Sequence, residues 1–264
     1  MSLGSFRKRV VRVGLRQVAK LRRKLGFHRQ FRQFATVSKA LQRDLKVRWR
    51  DRYPILNEAT ATTEHLTHYL YFPAWAARKL REISPAQHVD ISSYLHFATI
   101  VSAFIPTEFY DFRPADLRLS SLQMGRCDLN RLQFPDDSIP SLSCMHVVEH
   151  IGLGRYGDPL DPEGDLKAVR ELTRVLAPGG TLLFVAPMGR PRVQFNAHRI
   201  YSYRQVVDFF ASLKILEFSL IPDDEAVTGM IPNAPEALCD QQSLGCGCFV
   251  FQKPLKASER SPHA

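Results

Sequence analysis

The stretch from Leu129 to Pro187 constrains the fold of this chain more than any other. It reads LNRLQFPDDSIPSLSCMHVVEHI and, further on, DLKAVRELTRVLAPGGTLLFVAP. Pro135, Asp136 and Asp137 shape a turn. The apolar run Ser141–His146 behind it reads as a strand. Asp165–Leu176 has helical periodicity, and Gly179 and Gly180 permit a left-handed cap and a tight turn into a further strand, Thr181–Ala186. The alternation continues on both sides. Strands are expected at His88–Ser92, Thr107–Phe112, Ser120–Arg126, Leu213–Ile221 and Gly247–Gln252, with helices at Phe97–Phe104 and Ser202–Leu213. This pattern argues for an open α/β sheet with helices on both faces, and places any ligand beyond the carboxyl ends of the strands.

Charge divides the chain. Through Arg52 there are 17 Lys+Arg against Asp44 and Asp51, a local charge of +15; the remainder carries −5. The basicity thus belongs to an appendage. Residues 1–52 read as a basic amphipathic helical extension, 53–254 as the main domain and 255–264 as a loose tail. Within residues 5–50 the apolar positions Val10, Val13, Leu15, Val18, Leu21 and Leu25 recur at near-helical spacing, and Gly26 is expected to end a first helix. Such a segment is either a solvated leader or a peripheral contact with an anionic membrane surface or a partner. Nucleic acid is disfavoured, because few aromatics are available for stacking and the domain behind the helix is acidic. No run of 18 apolar residues exists, and no apolar core follows the basic N-terminus as in a secretory signal. Five cysteines form no even framework, consistent with reduced core thiols in a cytoplasmic protein.

Between these parts, a helical stretch over roughly 62–83 carries His65, His68, Tyr69, Phe72 and Trp75, with Pro73 expected to kink or split it. Its aromatics suit packing on the sheet; His65, His68 or Tyr69 could instead line a substrate pocket.

The Phe134–Ser138 loop, the strand after it and the Arg174–Gly180 run resemble the central half of a class I S-adenosylmethionine-dependent methyltransferase. The resemblance implies a Rossmann-like fold with a seven-stranded, mostly parallel sheet ending in a reversed hairpin, and S-adenosylmethionine as cofactor. At the end of strand 1 the family places an acidic residue, a variable one, then Gly-x-Gly-x-Gly. This chain has Asp90, then Ser92, Ser93 and Tyr94. Serine can partly replace glycine there; Tyr94 would crowd the site unless its ring turns away. Asp111, ending strand 2, matches the carboxylate that takes both ribose hydroxyls. Asp128 matches the adenine-amino acceptor and Leu129 the apolar neighbour of the ring. Local readings stand beside these: Asp111 pairing with Arg113 or capping Ala115, and Asp128 capping the turn that follows.

His146, Glu149 and His150 follow strand 4. On a helical turn they would share a face, allowing a general base or a divalent-ion site, or packing without chemistry. The glycine-punctuated loop 152–165 offers Arg155, Tyr156 and Asp158 to a substrate. The loop after strand 5 adds Arg190, Arg192, His198 and Arg199, which would suit an anionic acceptor. Cys246 and Cys248 share one face of the last strand and read as core packing. The phrases VDISSYLHFATIVSAFIPTEFYDFRP and HVVEHIGLGRYGDPLDPEGD are similar to a methyltransferase-like family of unknown function found in nematodes and bacteria, over roughly residues 85–252. Two functions follow: a methyltransferase acting on a small, anionic or glycan-related acceptor, or a non-catalytic scaffold held at a membrane or partner by its basic N-terminus.

Overall fold

Alternation of side chains along two neighbouring strands explains how the core is built. In β5 (Leu176–Met188), Leu182, Phe184, Ala186 and Met188 enter one apolar layer, while Leu183 and Val185 enter the other. Its antiparallel neighbour β10 (Gly245–Gln252) does the same, with Phe249 and Phe251 on one side and Cys246, Cys248 and Val250 on the other. Successive residues of a strand point to opposite faces, so a sheet buried on both sides needs unbroken apolar runs of this kind.

The computed structural model describes residues 3–42, 44–59, 67–224 and 229–256. The chain divides into two units, Met1–His65 and Leu66–Ala264. In the first, α1 (Leu3–Ala40) is one helix that runs through Gly26. The expected stop at Gly26 is not found. Glycine in a helix interior costs about 1 kcal/mol relative to alanine, too little to end a helix flanked by good helix formers. Val18, Leu21 and Leu25 are exposed, whereas Phe27, His28 and Phe31 gather round Trp49 on the returning chain, His28 stacking at 4.5 Å. Arg52 covers the indole, 4.4 Å from its centre.

The second unit holds α2 (Thr67–Ile83), β1 (His88–Ile91), α3 (Leu95–Val101), β2 (Thr107–Asp111), β3 (Leu122–Arg126), β4 (Ile139–Met145), α4 (Gly164–Val175) and β5. There follow β6 (Arg192–Gln194), β7 (His198–Ile200), α5 (Tyr203–Phe209), β8 (Lys214–Ile221), β9 (Ile231–Pro232), α6 (Glu236–Gln241) and β10. The main sheet has the order β3-β2-β1-β4-β5-β10-β8-β9. β1 to β5 are parallel; β10 is antiparallel to both β5 and β8. This is the α/β Rossmann-like class I methyltransferase fold. The two-residue β9 makes eight strands rather than seven, and β6–β7 form a separate hairpin.

α2 remains one helix through Pro73, because its packing outweighs one lost backbone bond. Phe72, Trp75, Ala76 and Leu80 are buried on the sheet, and the Trp75 indole donates to Glu217 on β8 at 3.0 Å. The Phe134–Ser138 loop is held by Arg174, which donates to the carbonyls of Leu132 and Phe134 and to Asp136. α4 ends at Val175, so Gly179 is not its cap. Instead Gly179 (φ +73°) bends the start of β5, where its N–H meets the Lys253 carbonyl at 2.8 Å.

Candidate active site

The chain leaves β1 for β2 and β3 on one side, then returns to place β4 on the other. Ligand crevices form where strand order reverses in this way. A cavity of 390 Å³ opens at that point, walled by Ser92, Ser93, Tyr94, His146, Glu149 and His150, with Tyr69 and His68 from α2.

Asp90 builds the first wall from beneath. Fully buried, it accepts the Ser93 backbone N–H at 3.0 Å and the Ser143 hydroxyl. The Ser93 hydroxyl in turn accepts the Met145 N–H at 2.9 Å, tying the loop to β4. Ser143 also meets His88 Nε2 at 2.9 Å, and Ser141 meets Nδ1 at 2.8 Å. Burial pushes the Asp90 carboxyl up to about 6 and the His88 imidazolium down to about 3. Ser92, where the sequence resemblance implies a glycine, has φ +55°. It makes the left-handed turn that glycine ordinarily makes, steadied by its N–H to the Tyr110 carbonyl at 2.7 Å. The Tyr94 ring packs against Tyr69 and His96, 38% exposed, as a wall of the cavity and not a plug in it.

The second wall follows β4. His146 has φ +57°, and a single turn, Val148–His150, comes after it. His146 Nδ1 lies 2.9 Å from Glu149 Oε1, and Nε2 lies 3.3 Å from Cys246 Sγ. Both ring nitrogens are therefore engaged. Burial opposes the imidazolium, but Cys246 and the Glu149 carboxylate outweigh it and hold His146 above an ordinary imidazole. Burial and the neighbouring His146 bring His68 down to about 4, leaving it neutral. Burial raises the Cys246 thiol. His150 Nδ1 faces the Ala197 carbonyl at 2.6 Å. The Arg155 guanidinium lies 3.3 Å from the same nitrogen; a carbonyl only accepts, so the shorter contact puts a proton on Nδ1. Glu149 Oε2 and His198 Nε2 are buried without a hydrogen-bond partner among the described residues.

Of the residues singled out in the sequence, Ser92, Ser93, His146, Glu149 and His150 meet around this cavity. Asp90 and Leu129 lie buried beneath it and in the core. Asp111 and Asp128 stand at the ends of β2 and β3, outside the cavity lining. Each makes the local bond expected of a turn residue, to the N–H of Arg113 at 2.7 Å and of Asn130 at 2.9 Å. His65 lies outside the described residues. Arg155, Tyr156 and His198 reach the cavity. Asp158 does not: its carboxylate is taken by the N–H groups of Gly152, Gly154 and Tyr156. Arg199 is buried and holds the carbonyls of Ile151, Asp161 and Pro162, and Arg192 holds that of Ser243, so neither extends a basic substrate surface. The contact of Cys246 with His146 is new. Its signal was the reversal of the last strand, which brings that strand's first residues to the carboxyl edge of the parallel ones.

Fold and cavity together define the class: a class I methyltransferase fold with a polar crevice at its switch point. Within the chain, residues 117–221 match a family model described as Caenorhabditis protein of unknown function, DUF268. Among solved structures the chain is similar to the YcgJ protein of Bacillus subtilis, with 16% identity, 72% of this chain and 100% of that one covered, and a TM-score of 0.48. It is also similar to the N-methyltransferase NodS of Bradyrhizobium japonicum in complex with S-adenosyl-L-homocysteine, with 14% identity, 69% and 88% covered, and a TM-score of 0.48. A third is the [4+2]-cyclase SpnF, with 14% identity, 69% and 82% covered, and a TM-score of 0.46. No curated protein matches the sequence.

Proposed function

We propose that this chain is an S-adenosylmethionine-dependent methyltransferase whose acceptor, a small anionic or glycan-related molecule, sits in the crevice between β1 and β4. The observation that carries the reading is the left-handed Ser92 turn, which keeps the approach of a glycine loop although the glycines are gone. The residues present fit the cofactor. The Ser92–Tyr94 backbone would hold its methionine half. Asp111 would take the ribose hydroxyls through the carboxylate oxygen that Arg113 leaves open. Asp128, exposed at the end of β3, would take the adenine amino group. When bound, the cofactor supplies an electrophilic methyl group on a sulfonium.

The chain's own part is positioning and proton handling. With Nδ1 held by the Ala197 carbonyl, His150 Nε2 would be the atom that accepts a proton from an acceptor hydroxyl. Arg155 places a guanidinium on the wall where an anionic group would lie, and the unpartnered His198 Nε2 offers a further polar contact. Tyr69 and Tyr94 screen one side from water. Alignment of the two reactants supplies most of the rate in such a site. Calorimetry of the full chain with S-adenosylmethionine and S-adenosylhomocysteine tests the reading. Micromolar binding lost in Asp111→Ala is expected; no binding to the folded chain at millimolar ligand would remove the reading.

The same proposal assigns α1 to an anionic membrane surface. It is supported by the basic charge of this segment and by the exposure of Val18, Leu21 and Leu25. No helix among the described residues is long and apolar enough to cross a membrane.

A further inference from the structure

His68, His146 and Cys246 come from three separate elements, α2, the end of β4 and the start of β10. Their ligand atoms all lie within 4.8 Å of one another. His146 Nε2 and Cys246 Sγ, 3.3 Å apart, are already close to the edge of a small coordination tetrahedron. From these positions we propose that His68, His146 and Cys246 form a binding site for a divalent ion of the zinc type, open on its cavity side. The inference is independent of the methyl-transfer reading.

Three observations carry it. The donor set, two imidazoles and a thiol, is the mixture that a borderline-soft ion prefers over carboxylate-loving ions such as magnesium or calcium. His146 is prepared as a ligand, because its Nδ1 lies 2.9 Å from the buried Glu149 carboxylate and turns Nε2 towards Cys246 and His68. A carboxylate behind a histidine in this way is the usual outer support of a metal-bound imidazole. Finally, Glu149 is 1% exposed, lines the cavity and has one oxygen without a partner. A buried carboxylate left half-satisfied points to a missing cation or a polar ligand nearby.

Closure requires His68, at the first turn of α2, to move by about 1 Å so that its nitrogen reaches bonding distance. Binding replaces the Cys246 S–H bond and the His146 Nε2–H bond by bonds to the metal, and both protons leave to solvent. His68 and His146 line the cavity while Cys246 lies behind them, so the fourth position faces the space where an acceptor would sit. An oxygen donor, water or a substrate hydroxyl, would complete the tetrahedron.

Cobalt(II) added to the metal-free full chain tests the site. Stoichiometric binding with a thiolate-to-cobalt charge-transfer band in the near ultraviolet is expected, and zinc should abolish the band by displacement. Cys246→Ala should eliminate it, and Cys248→Ala, whose sulfur lies 4.0 Å from that of Cys246, should keep it. His68→Ala, at a half-buried position, should weaken zinc binding measured by calorimetry while the circular dichroism spectrum is unchanged. Glu149→Gln should weaken it roughly 10- to 100-fold. A folded chain that gives no band, a band that survives Cys246→Ala, or a zinc affinity unchanged in His68→Ala overturns the proposal.

Discussion

Beneath the Ser92–Tyr94 loop, one hydroxyl links two groups of opposite titration behaviour. Ser143 bonds both Asp90 and His88, and burial keeps both neutral well into the range where the unfolded chain would charge them. Between 3.8 and about 6 native Asp90 keeps a proton that the unfolded chain releases, so its contribution lowers stability as pH rises. Between about 3 and 6.5 native His88 refuses a proton that the unfolded chain binds, so its contribution raises stability as pH rises. Where the windows overlap the two slopes, each about 1.4 kcal/mol per pH unit, oppose each other. Asp90→Asn removes one of them. Urea unfolding of that variant should show stability rising with pH between about 4 and 6 more steeply than wild type, by about that slope; parallel profiles would refute the assignment. Ser92 allows a sharper test of the turn. Ser92→Gly relieves the positive φ at the loss of a 3.2 Å hydroxyl contact and should leave stability within about 1 kcal/mol. Ser92→Val places a branched side chain in the left-handed region and should cost about 1–3 kcal/mol, read as a lower urea midpoint.

Elements were legible where a period or a breaker marked them. The seven main strands and the helices α3, α4 and α5 lie where alternation, apolar runs and glycine placed them, with ends shifted by a few residues. The hairpin β6–β7 was not legible, since three-residue strands carry no period. Nor was the continuity of α1, because Gly26 looked like a stop. The two glycine types can be separated by experiment. Gly26 has open space where a Cβ would go and no left-handed φ, so Gly26→Ala should increase helix content and stabilise α1 by about 0.5–1 kcal/mol. Gly180 is the reverse case. A Cβ there would stand 2.7 Å from the Ala177 carbonyl oxygen and 3.1 Å from those of Ile139 and Pro140, all backbone. Gly180→Ala should therefore destabilise the β4–β5 junction by about 1–3 kcal/mol, seen as a lower melting temperature. Sequence resemblance marked both Gly179 and Gly180, but only the packing explains why Gly180 tolerates no side chain.

At the scale of the whole molecule, the site and the charge were legible to different degrees. Asp111, Asp128 and the His146–His150 cluster could be placed because they end strands whose order the resemblance implies. Cys246 could not, since it is a hundred residues from its partner and meets it only through the antiparallel insertion of β10 between β5 and β8. Charge, by contrast, is a property of sequence alone: +15 through Arg52 and −5 beyond. A segment of that charge is attracted to anionic lipid by about 1 kcal/mol for each basic residue near the surface, and the attraction is screened within a Debye length of about 8 Å at physiological salt. Replacing the exposed run Arg22-Arg23-Lys24 by glutamates should therefore remove at least about 3 kcal/mol, a loss of about a hundredfold in vesicle affinity. Flotation of the full chain with phosphatidylserine-containing vesicles measures this. Binding should fall steeply with added salt and be absent on purely zwitterionic vesicles. If the triple variant floats as well as wild type, or if wild type floats equally with zwitterionic lipid, the basic segment does not act through anionic lipid and a protein partner must be sought for it.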